Sequence, residues 1–277
     1  MDNILTQKKL FARLQKISNQ QIKFLLRRQR LKFNRQELSF YVYMIFRHQL
    51  EMQAFKRLYR KHRLDISYQA FQKNINTVAP LVKFLFYKEN KRRLIKPSNL
   101  CNIVDTTLLP SKLPESIRQQ DYDNKKVTIR SKNNMNVHIC GYKALVFINR
   151  HGLIYHARLM NINYSDQNIL KDTADYLPQL RGVLLADRGF SNKAVRKRIH
   201  ELTSCKLISP PHHKSKDELK PKEKKLYKRR WRIETVFQKM KNEFGSAKLN
   251  IKGARAHNIV EAKLFATFTT HNFGLTV

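Results

Sequence analysis

Acidic residues are scarce in this chain: 20 Asp and Glu stand against 56 Lys and Arg in 277 residues, a formal net charge of +36 at pH 7. Charge of that size repels itself in a compact fold unless a polyanion normally neutralises it, so nucleic acid is the leading partner. An anionic membrane surface is the other candidate, but long apolar runs are missing too. The run Ala144–Ile148, "ALVFI", is far shorter than the roughly 20 residues of a bilayer span, and "MDNILTQKKL" has no signal-peptide core. A soluble, cytoplasmic protein without a membrane partner is expected.

Cysteine is sparse as well. Cys101, Cys140 and Cys205 are odd in number and far apart, and none belongs to a CxxC pair, so neither a disulfide framework nor a thiolate zinc site is indicated. Cys205 with His212 and His213 would make three metal ligands without a fourth. Small buried hydrophobes are the plainer reading of all three thiols.

Glycine and proline are few and come late. The first proline is Pro80 and the first glycine Gly141, so residues 1–79 lack both strong helix breakers and should be nearly all helix. Apolar residues there recur at three and four, as in Phe40, Tyr43, Met44 and in Phe55, Leu58, Tyr59. "LDISYQAFQKNINTVAP" predicts a turn and a helix capped by Asp65 or Ser67 and ended by Pro80. A helix-turn-helix suits its position and charge, and a basic bundle without sequence readout suits them equally.

What the chain does have is a second texture, beginning after a polar basic linker at residues 88–99. "CNIVDTTLLP" reads as a buried strand, and "MNVHICGYKALVFIN" and "GLIYHARLMNINY" as a hairpin turning at "RHG". "SDQNILKDTADYL" starts a helix with Ser165 or Asp166 as N-cap. "GVLLADRGF" is a strand, "SNKAVRKRIHELTS" a helix, "CKLIS" a short strand and "HNIVEAKLFATFTTHNF" a last amphipathic helix. Strands followed by alternating strands and helices predict an α/β domain on a mixed sheet. The expected division is a helical basic region, 1–95, and an α/β domain, 96–277. With 42% hydrophobic residues the chain can bury a core.

Three acids stand out by position. Asp105 follows the apolar "NIV", and Asp187 follows "VLLA" and precedes Arg188 and Gly189. The carboxyl ends of strands are where α/β sheets bind ligands, although an aspartate there often only caps a turn. The third, Glu234, is the one acid in "LYKRRWRIETVFQKMK", residues 226–241. At about 100° per residue, Tyr227, Arg230, Glu234 and Lys241 fall within an arc of about 60°, beside an apolar arc of Leu226, Ile233, Val236, Phe237 and Met240. For this helix alone, an i, i+4 ion pair between Arg230 and Glu234 explains the acid. The three acids together suit a hard divalent cation such as Mg²⁺, and two such ions can drive in-line displacement at phosphorus.

Tyr227, Arg230, Glu234 and Lys241 resemble the signature Y-x2-R-x3-E-x6-K of bacterial insertion-sequence transposases of the DDE type. "VDTTLLP" and "LADRGF" resemble that family's two aspartate motifs, in the right order. The resemblance covers residues 101–273 and implies an RNase H-like mixed sheet flanked by helices, preceded by an all-α region. It implies catalytic, metal-binding roles for Asp105, Asp187 and Glu234, with two Mg²⁺ ions for which Mn²⁺ substitutes. It further implies phosphate contacts from Tyr227, Arg230 and Lys241, and cleavage at transposon ends followed by attack of the 3′ hydroxyl on target DNA. Double-stranded DNA is the implied partner, a homodimer the implied synaptic form, and the bacterial nucleoid the implied place. The alternatives are a nuclease without strand transfer and an inactive DNA-binding derivative.

Only 46 residues lie between Asp187 and Glu234, which leaves no room for the β-rich insertion of some relatives. No hairpin-forming role is therefore carried over to Trp231. Arg188 is an auxiliary candidate that either touches phosphate or braces the Gly189 turn. Asp166 is an auxiliary acid or a helix cap, and the basic loop from Lys214 to Lys225 is a DNA-contacting arm or a solvated charge run.

Overall fold

A computed structural model describes residues 33, 35–46, 56, 66–110, 126–130, 136–174, 179–211, 218–243 and 256–274. The chain forms two compact units, residues 89–254 and residues 1–88 with 255–277. The last helix thus belongs with the amino-terminal helices. None of the described helices is long and apolar enough to cross a membrane.

In the helical unit, α1 spans Arg35–Phe46 and α2 spans Tyr68–Arg92, of which residues up to Lys88 belong to this unit. Ser67 caps α2, its hydroxyl accepting from Ala70 N at 3.1 Å. Asp65 and the rest of the predicted turn lie outside the described residues, as does any helix-turn-helix built on them.

Proline does not end this helix: Pro80 sits inside α2. An interior proline costs about 3 kcal/mol through one lost hydrogen bond and a ring clash. Phe71, Ile75, Val78, Val82 and Phe86, all on α2, are each at most 1% exposed, and burying each contributes about 1.5–3 kcal/mol. Packing therefore outweighs the local penalty, while Pro80 itself faces solvent. The predicted linker at residues 88–99 is accordingly helical as far as Arg92. Phe86 meets Phe265 at 5.1 Å and Phe268 at 6.2 Å between ring centroids, and Lys83 pairs with Glu261 at 2.7 Å.

Among the described residues, the second unit has six strands: β1 (Cys101–Pro110), β2 (Lys126–Arg130), β3 (Asn136–Asn149), β4 (Ile154–Asn161), β5 (Val183–Leu185) and β6 (Lys206–Ile208). The order is β2-β3-β1-β5-β6, with β4 also beside β3. β3 runs antiparallel to β1, β2 and β4, whereas β5 and β6 run parallel to β1. This is an RNase H-like α/β fold, in which β5 is the fourth core strand because the short β2 precedes β3.

The helices are α3 (Asp166–Ala174), α4 (Lys193–Thr203), α5 (Pro221–Tyr227) and α6 (Trp231–Glu243), and α7 (Ala256–Gly274) belongs to the helical unit. One face of the sheet, with Val104, Leu145, Phe147 and Leu184, shares a core with Leu170 of α3 and with Val195 and Ile199 of α4. Alternation along β1 turns Ile103 and Asp105 to the opposite face. On α6, Ile233, Val236, Phe237 and Met240 are buried, the apolar arc expected of that segment.

Candidate active site

The pairing of β1 with β5 brings the two aspartates together. Ile103 is opposite Leu185, so Asp105 and Asp187 each lie two residues beyond one register position. Residues two apart share a face, which puts both acids on the same side of the sheet. The parallel pairing stops at this level, but β1 continues to Pro110 because β3 still pairs with it, Asp105 opposite Val146. Asp105 is therefore inside the ten-residue strand read from "CNIVDTTLLP", just beyond its parallel pairing with β5, and not at the carboxyl end where the apolar "NIV" alone sets it. Asp187 does follow a strand end, and its Oδ1 accepts from Gly189 N at 2.8 Å, capping the 3-10 turn Arg188–Phe190.

Glu234 reaches this pair through an arginine. Arg230 donates from Nη2 to Asp105 Oδ2 at 2.8 Å and from Nη1 to Glu234 Oε1 at 2.6 Å. The i, i+4 ion pair expected from the sequence is present, and the same guanidinium also holds an acid 125 residues away. Asp105 is nearly buried and Glu234 is 61% exposed along its side chain. The Nε of Arg230 is buried without a hydrogen bond.

Burial dominates the electrostatics. It pushes the Asp105 carboxyl up to about 6, and the charges of Asp187 and Asp166 add to the rise. Arg230 and the Thr106 N–H oppose it. Asp187 is also raised by burial, against the Gly189 N–H and Arg230. Tyr227 is raised first by burial and then by Asp187, Asp105 and Glu234, so its phenol lies within the field of all three acids.

The expected continuous helix from Leu226 to Lys241 is broken. A 3-10 turn, Lys228–Arg230, separates α5 from α6, so Tyr227 and Glu234 stand on different helices. Lys241 is exposed in the last turn of α6, about 10 Å along the axis from Glu234. Arg188 is exposed, and Trp231 is 58% exposed. Among the described residues, no group of three or more His, Cys, Asp and Glu is arranged to hold a metal ion as it stands. Cys101, Cys140 and Cys205 are free and buried, and burial pushes the Cys205 thiol up to about 12, adverse to a thiolate ligand. His212, His213 and Lys214 lie outside the described residues.

One residue at the site, Lys143, escaped the sequence reading of its acids. Lys143 on β3 donates to Asp166 Oδ1 at 2.8 Å and to the Tyr164 carbonyl at 3.0 Å. Ser165 is the cap of α3, its hydroxyl accepting from Asn168 N at 3.3 Å, which leaves Asp166 free of that duty. Only the register of β3 against its neighbours reveals this pairing.

The fold and its acids define a class, RNase H-like domains with carboxylates on adjacent core strands. Residues 97–273 match the family described as the transposase DDE domain, and the chain belongs to that family. Membership makes it a nucleotidyl-transfer enzyme with DNA as its partner. No curated protein matches the chain.

Proposed function

We propose that this is an insertion-sequence transposase that cleaves DNA at the element's ends and joins the freed 3′ hydroxyl to target DNA. The observation that carries the reading is that Arg230 bonds both Asp105 and Glu234 while the β1–β5 register brings Asp187 beside Asp105. The donors are all hard oxygens. Asp105 is buried and Asp187 half-buried, at a cost that their protein partners do not offset. A guanidinium already supplies positive charge between Asp105 and Glu234. That arrangement fits Mg²⁺, with Mn²⁺ as substitute, held by Asp105 and Asp187 and joined by Glu234 once Arg230 releases it. When bound, two such ions would supply Lewis-acid stabilisation and an activated attacking oxygen.

The chain's own residues do the rest. Arg230 turns from acid to phosphate, where its bidentate fork suits two phosphate oxygens. Tyr227 lends a hydroxyl beside the same acids, and Lys241 a point charge farther along the strand of DNA. Arg188 is an auxiliary phosphate contact at the Asp187 turn. The basic helical region at the amino terminus holds DNA as the sheet-bearing catalytic region acts on it, within a homodimer that synapses two ends.

The test is a strand-transfer assay with end-sequence DNA and Mg²⁺. Glu234→Gln is expected to abolish cleavage and leave DNA binding within a factor of a few. Equal loss of both overturns the catalytic role of Glu234. Cleavage without joining in the wild type supports a nuclease, and binding alone an inactive derivative.

A further inference from the structure

The catalytic acids have a neighbour outside the three-acid set. Asp166, the first residue of α3, gives one oxygen to Lys143 at 2.8 Å. Lys143 is itself only 13% exposed along its side chain and is fixed by the Tyr164 carbonyl at 3.0 Å. The other oxygen of Asp166 turns toward the Asp187 loop. The point where a Cβ on Gly189 would lie is 3.3 Å from Asp166 Oδ2 and 2.9 Å from Asp187 Oδ1. Glycine keeps that space open, and the two carboxylates face each other across it. Two such groups repel, so the arrangement needs a reason. Capping is not the reason, because Ser165 already caps α3. Nor is the sheet core, because Asp166 is a quarter exposed.

We propose that Asp166 is a positioning residue for the cation held at Asp187. Lys143 anchors one of its oxygens, and the other accepts hydrogen bonds from water on that cation. The proposal rests on the reading of Asp105 and Asp187 as metal ligands. Outer partners of this kind typically change metal affinity by about 10–100-fold when removed.

The experiment is Mn²⁺ titration of the full chain without DNA, followed by the electron paramagnetic resonance of free Mn²⁺, with thermal unfolding in EDTA as the check on folding. Asp166→Asn is expected to weaken Mn²⁺ binding about 10–100-fold with little change in unfolding temperature. If that variant does not fold, Asp166→Ser takes its place with the same expectation. Wild-type affinity in either folded variant, alongside lost binding in Asp187→Asn, overturns the role of Asp166 alone. Wild-type affinity in Asp187→Asn overturns the metal-site reading beneath it.

Discussion

Arg230 and Asp105 meet at 2.8 Å across 125 residues of chain, and the same guanidinium binds Glu234 at 2.6 Å. One positive charge thus stands between two acids of opposite exposure. It compensates Asp105 only in part, since burial still outweighs it and lifts that carboxyl to about 6.

Asp105 should therefore cost stability in the metal-free protein. A rise of about two pH units over the ordinary carboxylate corresponds to at most about 3 kcal/mol. Asp105→Asn is expected to abolish cleavage and to make the metal-free protein about 1–3 kcal/mol more stable at pH 8. Denaturant unfolding in EDTA checks it, and a variant less stable than the wild type would refute it.

The same group predicts a pH dependence with a definite sign. Above about pH 6, Asp105 is ionised in both folded and unfolded chains and its full penalty applies. Between about 6 and the ordinary value of 3.8, the folded chain holds the proton that the unfolded chain releases, so the penalty fades as pH falls. The stability gap between wild type and Asp105→Asn should close below about pH 4. Metal binding runs the other way, because the ligand must be ionised. Mn²⁺ affinity should fall about tenfold per pH unit below about 6, as read by titration at fixed ionic strength.

Gly182 should be intolerant of any side chain. Its φ is +72°, and a Cβ there would lie 2.3 Å from the Asn99 carbonyl oxygen and 2.8 Å from that of Leu100. Both are backbone atoms and cannot swing aside. Gly182→Ala is expected to destabilise by about 2–4 kcal/mol, combining left-handed strain with overpacking. Because Gly182 leads into β5, cleavage should also fall. Unfolding midpoints and the cleavage assay check both, and a change below about 1 kcal/mol would contradict the packing argument.

Much of the site was legible in the sequence because its acids follow apolar runs. "NIV" and "VLLA" announce strands, and the aspartates after them fall on one face once the strands pair. The full extent of β1 was legible in "CNIVDTTLLP", but that its parallel pairing with β5 stops at Ile103 while β3 carries the strand on to Pro110 was not. The interruption at Lys228–Arg230 carries no glycine or proline to mark it. "YSDQN" could not say which residue caps α3, because the answer depends on Lys143, more than twenty positions earlier. Pro80 misled for the opposite reason: a strong local rule was overruled by a buried face.

The aromatic packing of Phe86 against Phe265 and Phe268 has a consequence for biosynthesis. A ribosome delivers Phe86 long before its partners, so the helical unit cannot close its interior until Phe265 and Phe268 have been made. The sheet unit, whose residues 89–254 are all made earlier, can complete itself first. The order of synthesis thus favours completion of the sheet unit, although the amino terminus begins the helical one.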